Sequence, residues 1–353
     1  MLSFINIDIL IFNKNIEIYH NLNRNLKILF ILFFLLIISF IVSISVGSIY
    51  VNPGILFSNL DDADMLKNIL FNIRIPRTLN AFFVGASLSC SGIVLQSLLR
   101  NNLAEPGLLG ISAGAGLGAI LFFIFSASSF YLLTPVSFLS AILTTLLIFQ
   151  ISKGLKGKYT NFLSSNKIIL AGIAINALLS AINGFLLIYS GKSLTYIIYW
   201  LSGGLSGKGW VEFYSTSPII FVGLIISILF SKEYNVLSLG NELSISLGLN
   251  TKRLQYSSII LSSILAASAV SIAGIISFVG LIVPNISKLL LGSDHRYSIP
   301  GSILIGGIFL LVSDTISRII ISPSEIPVGI VTSFIGAPIF IWLIFKNTNK
   351  GIN

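Results

Sequence analysis

One stretch near the start of the chain decides the fold class: residues 26–47 read LKILFILFFLLIISFIVSISVG. The stretch contains one charged residue, Lys27. An apolar helix needs about 20 residues to cross the hydrocarbon core of a bilayer, so the stretch predicts a membrane span. A polar tail, 1–25, precedes it and no A-x-A-like cleavage site ends it. We therefore interpret it as a span and not as a cleaved signal peptide.

The rest of the chain repeats this apolar pattern. Of 353 residues, 55% are hydrophobic and only 9% are charged, whereas soluble domains carry roughly 25% charged residues. The composition argues against an ordinary soluble enzyme, a nucleic-acid-binding domain and a disordered protein. It predicts an all-α polytopic membrane protein with ten spans, at 26–47, 76–99, 108–127, 132–151, 168–189, 214–231, 254–272, 276–291, 299–320 and 328–345. The division between the seventh and eighth spans is the weakest, and nine spans or a re-entrant segment are the alternatives.

The distribution of basic residues predicts the orientation. With the N-terminus inside, 15 Lys and Arg fall on the inner side and 6 on the outer side, as the positive-inside rule requires. Both termini are then cytoplasmic. We expect one transmembrane domain, 26–346, between the tail 1–25 and a second cytoplasmic tail, 347–353. The net charge of +9 is scattered between apolar runs, so it indicates topology and not a nucleic-acid partner.

Three arginines lie at the predicted outer face. Arg74 and Arg77 flank the start of the second span, and Arg318 lies near the outer end of the ninth. Outer arginines oppose the topology bias, so either they reach lipid headgroups or they bind an anionic partner. Asp314 is four residues before Arg318, the favourable order for a helical ion pair. An intramembrane pair of this kind usually faces the protein interior.

The fifth span has a polar face formed by Asn176, Ser180 and Asn183. Such side chains are costly against lipid, so this face indicates a polar cavity or a helix interface. Rows of glycine in the second and third spans, such as Gly85 and Gly92, are typical of close helix packing.

The segment 237–249 is too polar and too short to span a membrane. Leu243 and Leu247 form an apolar stripe on a short predicted helix, which either lies on the membrane or docks into a partner. Catalytic motifs are missing, because Gly191-Lys192-Ser193 lacks the preceding glycine of a phosphate-binding loop. The chain has one cysteine and two histidines. We expect no enzyme activity, no metal site and no cofactor.

Several motifs in order along the chain carry a resemblance to a known family. They are Arg74-Ile-Pro-Arg77, Asn102-Leu-Ala-Glu-Pro-Gly107, Ile276-Ser-Phe-Val-Gly280, Gly292-Ser-Asp-His-Arg296, Asp314 with Arg318, and Glu325-Ile-Pro-Val-Gly329. Together they resemble the FecCD-type permeases, the membrane subunits of ABC importers for iron-siderophores, haem and vitamin B12. One departure is Asn285, where the family usually has histidine.

The resemblance implies a type II ABC importer permease in the cytoplasmic (inner) membrane. A second permease subunit, identical or a paralogue, would complete the pathway, two cytoplasmic ATPase subunits would drive it, and an extracytoplasmic binding protein would deliver cargo. It places docking of the binding protein on Arg74, Arg77 and Arg318, and a gate at Ser164, Ser165 and Asn166, beside the polar face. It places ATPase coupling in a loop at about 233–253, on Leu237, Gly240, Glu242, Leu243, Leu247 and Gly248.

The resemblance also implies the cargo, an iron(III)-siderophore chelate, with haem or cobalamin as the alternative. A secondary, ion-coupled transporter is the competing class. It would require charged groups near the midplane of the membrane, and Asp314 with Arg318 is the one candidate.

Overall fold

A computed structural model describes residues 2–47, 54, 63–125, 130–154 and 165–348. Within these residues the regular structure is helical. A π-helical turn, Leu70–Arg74, joins α2 to α3, and a 3₁₀ turn, Pro106–Leu109, precedes α4. The helices are α1 (Leu2–Ser45), α2 (Ala63–Ile69), α3 (Ile75–Leu99), α4 (Ile111–Phe125), α5 (Leu133–Gly154), α6 (Ser165–Ile188), α7 (Leu194–Leu201), α8 (Trp210–Leu229), α9 (Ser231–Ser238), α10 (Asn241–Ser246), α11 (Thr251–Ala273), α12 (Val279–Leu291), α13 (His295–Ile319) and α14 (Val328–Thr348).

Each of the ten predicted spans coincides with one of these helices. In the described part of the chain, eight helices are long and apolar enough to cross a membrane, beginning with Asn23–Ser45 within α1. The other two, α4 and α12, are apolar but have 15 and 13 residues. At 1.5 Å per residue they rise about 20 Å, less than the ~30 Å hydrocarbon core. Eight spans are therefore supported by length and composition, and the count of ten stays a prediction.

The centre of the bundle is formed by α3, α11 and α13. In α3, 89% of the most apolar window is buried, against 17% in α6 and 22% in α1. Glycines allow the central helices to approach closely. A Cβ added at Gly85 would lie 2.2 Å from the carbonyl oxygen of Gly306, and one at Gly92 would lie 1.9 Å from that of Gly280. Small residues thus pack α3 directly onto α13 and α12, as the glycine rows predicted.

The helices α3 and α13 run antiparallel along their whole length, and their ends define the two ends of the bundle. At one end, here called the arginine end, Arg77 of α3 contacts Asp314 of α13. At the other, here called the α10 end, Ser97 of α3 contacts His295 of α13. The short helices α9 and α10 lie at this second end, since Asn235 also contacts His295.

The weakest predicted division, between the seventh and eighth spans, is a real break. Residues 274–278 separate α11 from α12. Gly274 and Phe278 both have positive φ, 70° and 69°, a conformation that is unusual for a bulky residue such as phenylalanine. Gly336 of α14 makes room for it, because a Cβ there would lie 2.6 Å from the Cβ of Phe278.

Candidate functional site

The arginine end holds a buried cluster of ionic side chains. The Nη2 of Arg77 lies 2.9 Å from Asp314 Oδ1, and its Nη1 lies 2.9 Å from Glu325 Oε2. The Arg77 side chain is 8% exposed and that of Asp314 is fully buried. One guanidinium therefore binds two carboxylates. The planar group of arginine carries several N–H donors in a fixed fork, which suits this arrangement.

Two further arginines complete the arrangement. The Nε of Arg318 lies 3.2 Å from Asp314 Oδ2, so the helical pair predicted from the i, i+4 spacing is present. Arg74 donates to the carbonyl oxygens of Ile44 and Ser45, at 2.8 and 2.6 Å. These carbonyls belong to the last turn of α1, where no N–H of the helix is available to them and a basic side chain is a favourable partner. We call Arg74, Arg77, Asp314, Arg318 and Glu325 the arginine cluster.

Contact of the three arginines with lipid headgroups or with a docked binding protein would require them to be accessible at the outer face. The structure instead buries them: Arg74, Arg77 and Arg318 are 6%, 7% and 4% exposed. Glu325, which the sequence analysis quoted only as part of a motif, is the most accessible member of the cluster, with 26% of its side chain exposed. No local spacing could have found its bond to Arg77, because 248 residues separate the two. Docking of a binding protein on these arginines stays a prediction.

The predicted coupling segment is a short, exposed helix at the opposite end of the bundle. Gly240 and Gly248, with φ of 117° and 83°, bound α10 on either side. Leu243 and Leu247 are 58% and 64% exposed. Two other apolar residues beside them, Leu239 and Ile245, are also exposed. We call these four apolar side chains the α10 patch.

The remaining residues of the predicted coupling segment differ in their exposure to solvent. Glu242 is exposed in the first turn of α10. Leu237 is completely buried in the core of the bundle, so it cannot contact a partner from there. Ser244 holds α10 against α9, because its hydroxyl donates to Val236 O at 2.7 Å. The apolar stripe predicted from the sequence is thus displayed outward on an anchored helix.

The polar face of α6 packs against the same chain. Asn176 Nδ2 donates to Gly107 O at 2.9 Å, and Asn183 Nδ2 donates to Ala113 O at 3.1 Å. Of the two readings left open by the sequence, these two side chains support the helix interface. Ser180, between them, is exposed.

The predicted gate lies at the start of α6. Asn166 is exposed there, and Ser165 begins the helix. Ser164 lies outside the described residues. Their role as a gate therefore stays a prediction.

A cavity of 590 Å³ lies beside the break between α11 and α12. Its lining includes the hydroxyl-bearing residues Ser202, Ser277 and Ser333 and the apolar residues Ile275 and Phe334, and none of the lining residues is charged. Phe334 is 77% exposed, so the cavity opens toward the side of the bundle. Such walls offer only uncharged contacts to a molecule that enters the cavity.

Two groups outside the spans have pKa values shifted by burial. Burial raises the pKa of Glu105, in the loop after α3. It lowers the pKa of Lys208, in the loop before α8, although the nearby Glu212 opposes this shift. In the described part of the chain, no group of three or more His, Cys, Asp and Glu side chains could hold a metal ion.

A known protein family matches most of this chain in sequence. The model of the FecCD transport family matches residues 35–346. The chain belongs to the FecCD transport family. The hemin transport system permease protein HmuU of Yersinia pestis is 36% identical over 90% of this chain and 95% of its own length. The Fe(3+)-citrate import system permease protein YfmE of Bacillus subtilis is 34% identical over 93% and 97%.

A solved structure agrees with this family assignment. A metal-chelate type ABC transporter in an inward-facing conformation has a TM-score of 0.81 and 32% identity, covering 91% of this FecCD chain and 99% of that one. The similarity extends over nearly the whole of both chains. The fold of this family member therefore matches that of a transporter subunit and not only that of a generic helical bundle.

Proposed function

We propose that the protein is the permease subunit of an ABC importer for an iron(III) chelate of the siderophore type. It is a multi-pass inner-membrane protein and not an enzyme, since ATP hydrolysis belongs to separate subunits. One observation carries the proposal: a chain of the FecCD family displays an apolar, anchored α10 patch outside its membrane bundle. Relatives named for hemin and Fe(3+)-citrate support an iron or haem cargo, and relatives named for vitamin B12 support the cobalamin alternative.

The cargo can be tested in proteoliposomes that contain the permease, its ATPase and its binding protein. The probes are an iron(III) hydroxamate, iron(III) citrate, haem and cyanocobalamin, each supplied with ATP inside. We expect ATP-dependent uptake of an iron(III) chelate. Uptake of haem or cyanocobalamin alone would select the alternative cargo. Uptake driven by an ion gradient without ATP would contradict an ABC importer.

The α10 patch is the proposed docking site of the ATPase. Exposed apolar side chains on a short helix fit a groove on a partner, and Leu243 and Leu247 are the most accessible of them. Basic residues Lys232, Lys252 and Arg253 cluster nearby in sequence, which supports the proposed cytoplasmic side for this end and for both termini.

The double variant Glu242→Arg and Leu247→Asp tests this docking. It should leave the folded permease intact, because both side chains are exposed, but it should abolish co-purification of the ATPase and uptake. Leu132→Asp is a matched control, since Leu132 is 53% exposed and precedes α5 at the arginine end. Wild-type uptake by the double variant would show that the docking assignment is wrong.

We propose that a second permease subunit, identical or a paralogue, pairs along the open side of the cavity. Asn176 and Asn183 form hydrogen bonds within the chain. The exposed face beside Phe334 is therefore the better candidate for the interface between the two subunits. A cysteine at Phe334 should cross-link two subunits, whereas one at Ile38, on the lipid-facing side of α1, should not. The native Cys90 is buried and would be replaced by serine in both.

The binding protein is proposed to dock at the arginine end. Because Glu325 already occupies Arg77, an acidic side chain of the binding protein would compete with it for the same guanidinium. Electrostatic contacts of this kind set orientation and association rate more than total affinity. The arrangement of the cluster therefore predicts salt-dependent docking.

A further inference from the structure

A side chain on α9 bonds the start of α13. The amide Nδ2 of Asn235 donates to Asp294 Oδ1 at 2.7 Å. Its Oδ1 accepts from the backbone N–H of His295 at 2.8 Å and faces the ring Nδ1 of the same histidine at 2.8 Å. One amide thus makes three contacts with the first residues of α13.

The histidine side of this network is closed to solvent, whereas Asn235 and Asp294 are half-buried. His295 is 5% exposed and its Nε2 contacts the hydroxyl of Ser97, in the last turn of α3. Tyr234, beside Asn235, is fully buried with its ring 6.1 Å from that of His295. Buried polar groups are costly to leave unpaired, so this network holds α9 in one position relative to α3 and α13.

The helices on either side of the network are themselves rigidly joined. On one side, Ser244 ties α10 to α9. On the other, α3 and α13 pack backbone to backbone at Gly85 and Gly306, and Ser89 donates to Ser302 O at 2.8 Å. At the far end of this helix pair lies the arginine cluster. The structure therefore forms one mechanical path: α10, α9, Asn235, then the pair α3 and α13.

We infer that Asn235 is a positioning residue that transmits displacement of α10 to the pair of α3 and α13. The inference rests on the proposed docking of the ATPase on α10. If Asn235 carries the displacement, breaking its bond to Asp294 separates ATP hydrolysis from transport. If the bond is only structural, a change there lowers both activities in proportion.

Two substitutions exchange the partners of this bond. Asn235→Asp removes the donor and sets two carboxylates face to face, while its oxygens still accept from His295. Asn235→Asp with Asp294→Asn restores a donor opposite an acceptor, now in reversed order. Asparagine also retains the N-cap of α13, where Asp294 accepts from the backbone N–H of Arg296 at 2.9 Å.

Asn101→Asp is the matched control. It makes the same chemical change at the same end of the bundle, outside the coupling loop. Asn101 Oδ1 accepts from the backbone N–H of Leu103 at 2.9 Å, and an aspartate keeps this acceptor. It should behave as the wild type.

The measurement is cargo transported per ATP hydrolysed, in liposomes containing the complete importer, with the amount of bound ATPase determined alongside. We expect Asn235→Asp to lower this ratio about tenfold with the ATPase still bound, and the exchanged pair to recover most of it. An unchanged ratio in Asn235→Asp would overturn the inference. So would failure of the exchanged pair to recover the ratio, or a parallel loss of transport, hydrolysis and bound ATPase.

If Asn235→Asp alone does not fold, Asn235→Ser, which removes the amide without adding charge, takes its place with the same expected fall. Loss of the proposed docking has a different signature. If the ATPase does not dock on α10, the Leu247→Asp variant still binds it. This result does not depend on how Asn235→Asp changes the amount of cargo transported per ATP hydrolysed.

Discussion

The two ends of helix α13 contrast in both chemistry and exposure. At the arginine end, four ionic side chains bind one another in a largely buried cluster beside Arg74, and Asp314 has no exposed surface at all. At the α10 end, apolar leucines lie in the open, with Leu247 64% exposed. This inverts the preference usual at a water-exposed surface, where charged side chains are solvated and leucines are buried. The buried charges connect helices, whereas the exposed leucines form the proposed docking site of the ATPase.

The contrast predicts that the same kind of substitution has opposite consequences at the two ends. Charge reversal at Arg77 should be the most damaging change. Arg77→Glu places a third carboxylate against Asp314 and Glu325, and breaking a buried ion pair costs about 3–5 kcal/mol. We expect loss of folded protein in fluorescence-detected size exclusion, in contrast to an arginine on an exposed rim.

The control is Arg253→Glu, because Arg253 is exposed at the α10 end. It should retain the wild-type elution profile. If Arg77→Glu were expressed and melted like Arg253→Glu, the arginine cluster would not be the structural junction described above.

Within the α10 end, a buried leucine and an exposed leucine should respond differently to truncation. Leu237 and Leu247 lie ten residues apart, but Leu237 is fully buried and Leu247 is not. Leu237→Ala should cost about 2–5 kcal/mol of stability by opening a cavity in the core. Leu247→Ala should change the stability by less than about 0.5 kcal/mol while weakening the ATPase complex.

Thermal unfolding in detergent, together with co-purification of the ATPase, separates these two effects. Equal melting temperatures for the two alanine variants would contradict the assignment of Leu237 to the core. Unchanged ATPase binding by Leu247→Ala would count against the α10 patch as the docking surface.

A smaller effect is expected at Glu325, the accessible member of the arginine cluster. Glu325→Gln removes a partly exposed charge, for which the stability change is about 1 kcal/mol or less. If Glu325 competes with a carboxylate of the binding protein, this variant should dock faster at low salt and lose more of its rate at high salt, because salt screens the added attraction. Surface plasmon resonance at two salt concentrations measures both quantities, and a slower association would reject the competition.

The smallest effect concerns pH at the α10 end. Although burial raises the pKa of Asp294, hydrogen bonds from Arg296 and Asn235 bring it down from the ordinary value of 3.8 to about 2. A lowered folded-state pKa stabilises the protein above pH 3.8, and that contribution is lost as the pH falls toward 2. Between pH 5 and pH 8, Asp294 should therefore add no pH dependence to the melting temperature.

Asp294→Asn is the control for this prediction. It should melt with the same pH profile as the wild type above about pH 5 and diverge only below about pH 4. A difference in profile between the two proteins near neutral pH would mean that the pKa of Asp294 is raised and not lowered by its donors.

Local spacing was enough to predict several features of the molecule. The ten helical positions follow from apolar runs, the pair of Asp314 and Arg318 from an i, i+4 spacing, and the leucine stripe of α10 from the same period. Each depends on residues within one helix, whose geometry is nearly the same wherever that helix lies in the fold.

Sequence alone did not decide what covers a helix face. The polar residues Asn176 and Asn183 could face a cavity or another helix. Only the packing of α6 on the 3₁₀ turn and on α4 showed that both side chains lie in a helix interface. The three outer arginines could meet headgroups or an anionic partner, and only the packing of the helices brought Arg77 to the carboxylates of Asp314 and Glu325.

The physical reason is the distance along the chain between the partners. Arg77 is separated by 237 residues from Asp314, and Asn235 by 59 from Asp294. Periodicity within one helix carries no information about which distant helix is its neighbour. The sequence by itself determined that this is a bundle of apolar helices with a few polar side chains, because hydrocarbon permits little else. Which of those side chains meet was decided only when α3 and α13 packed antiparallel at their glycines.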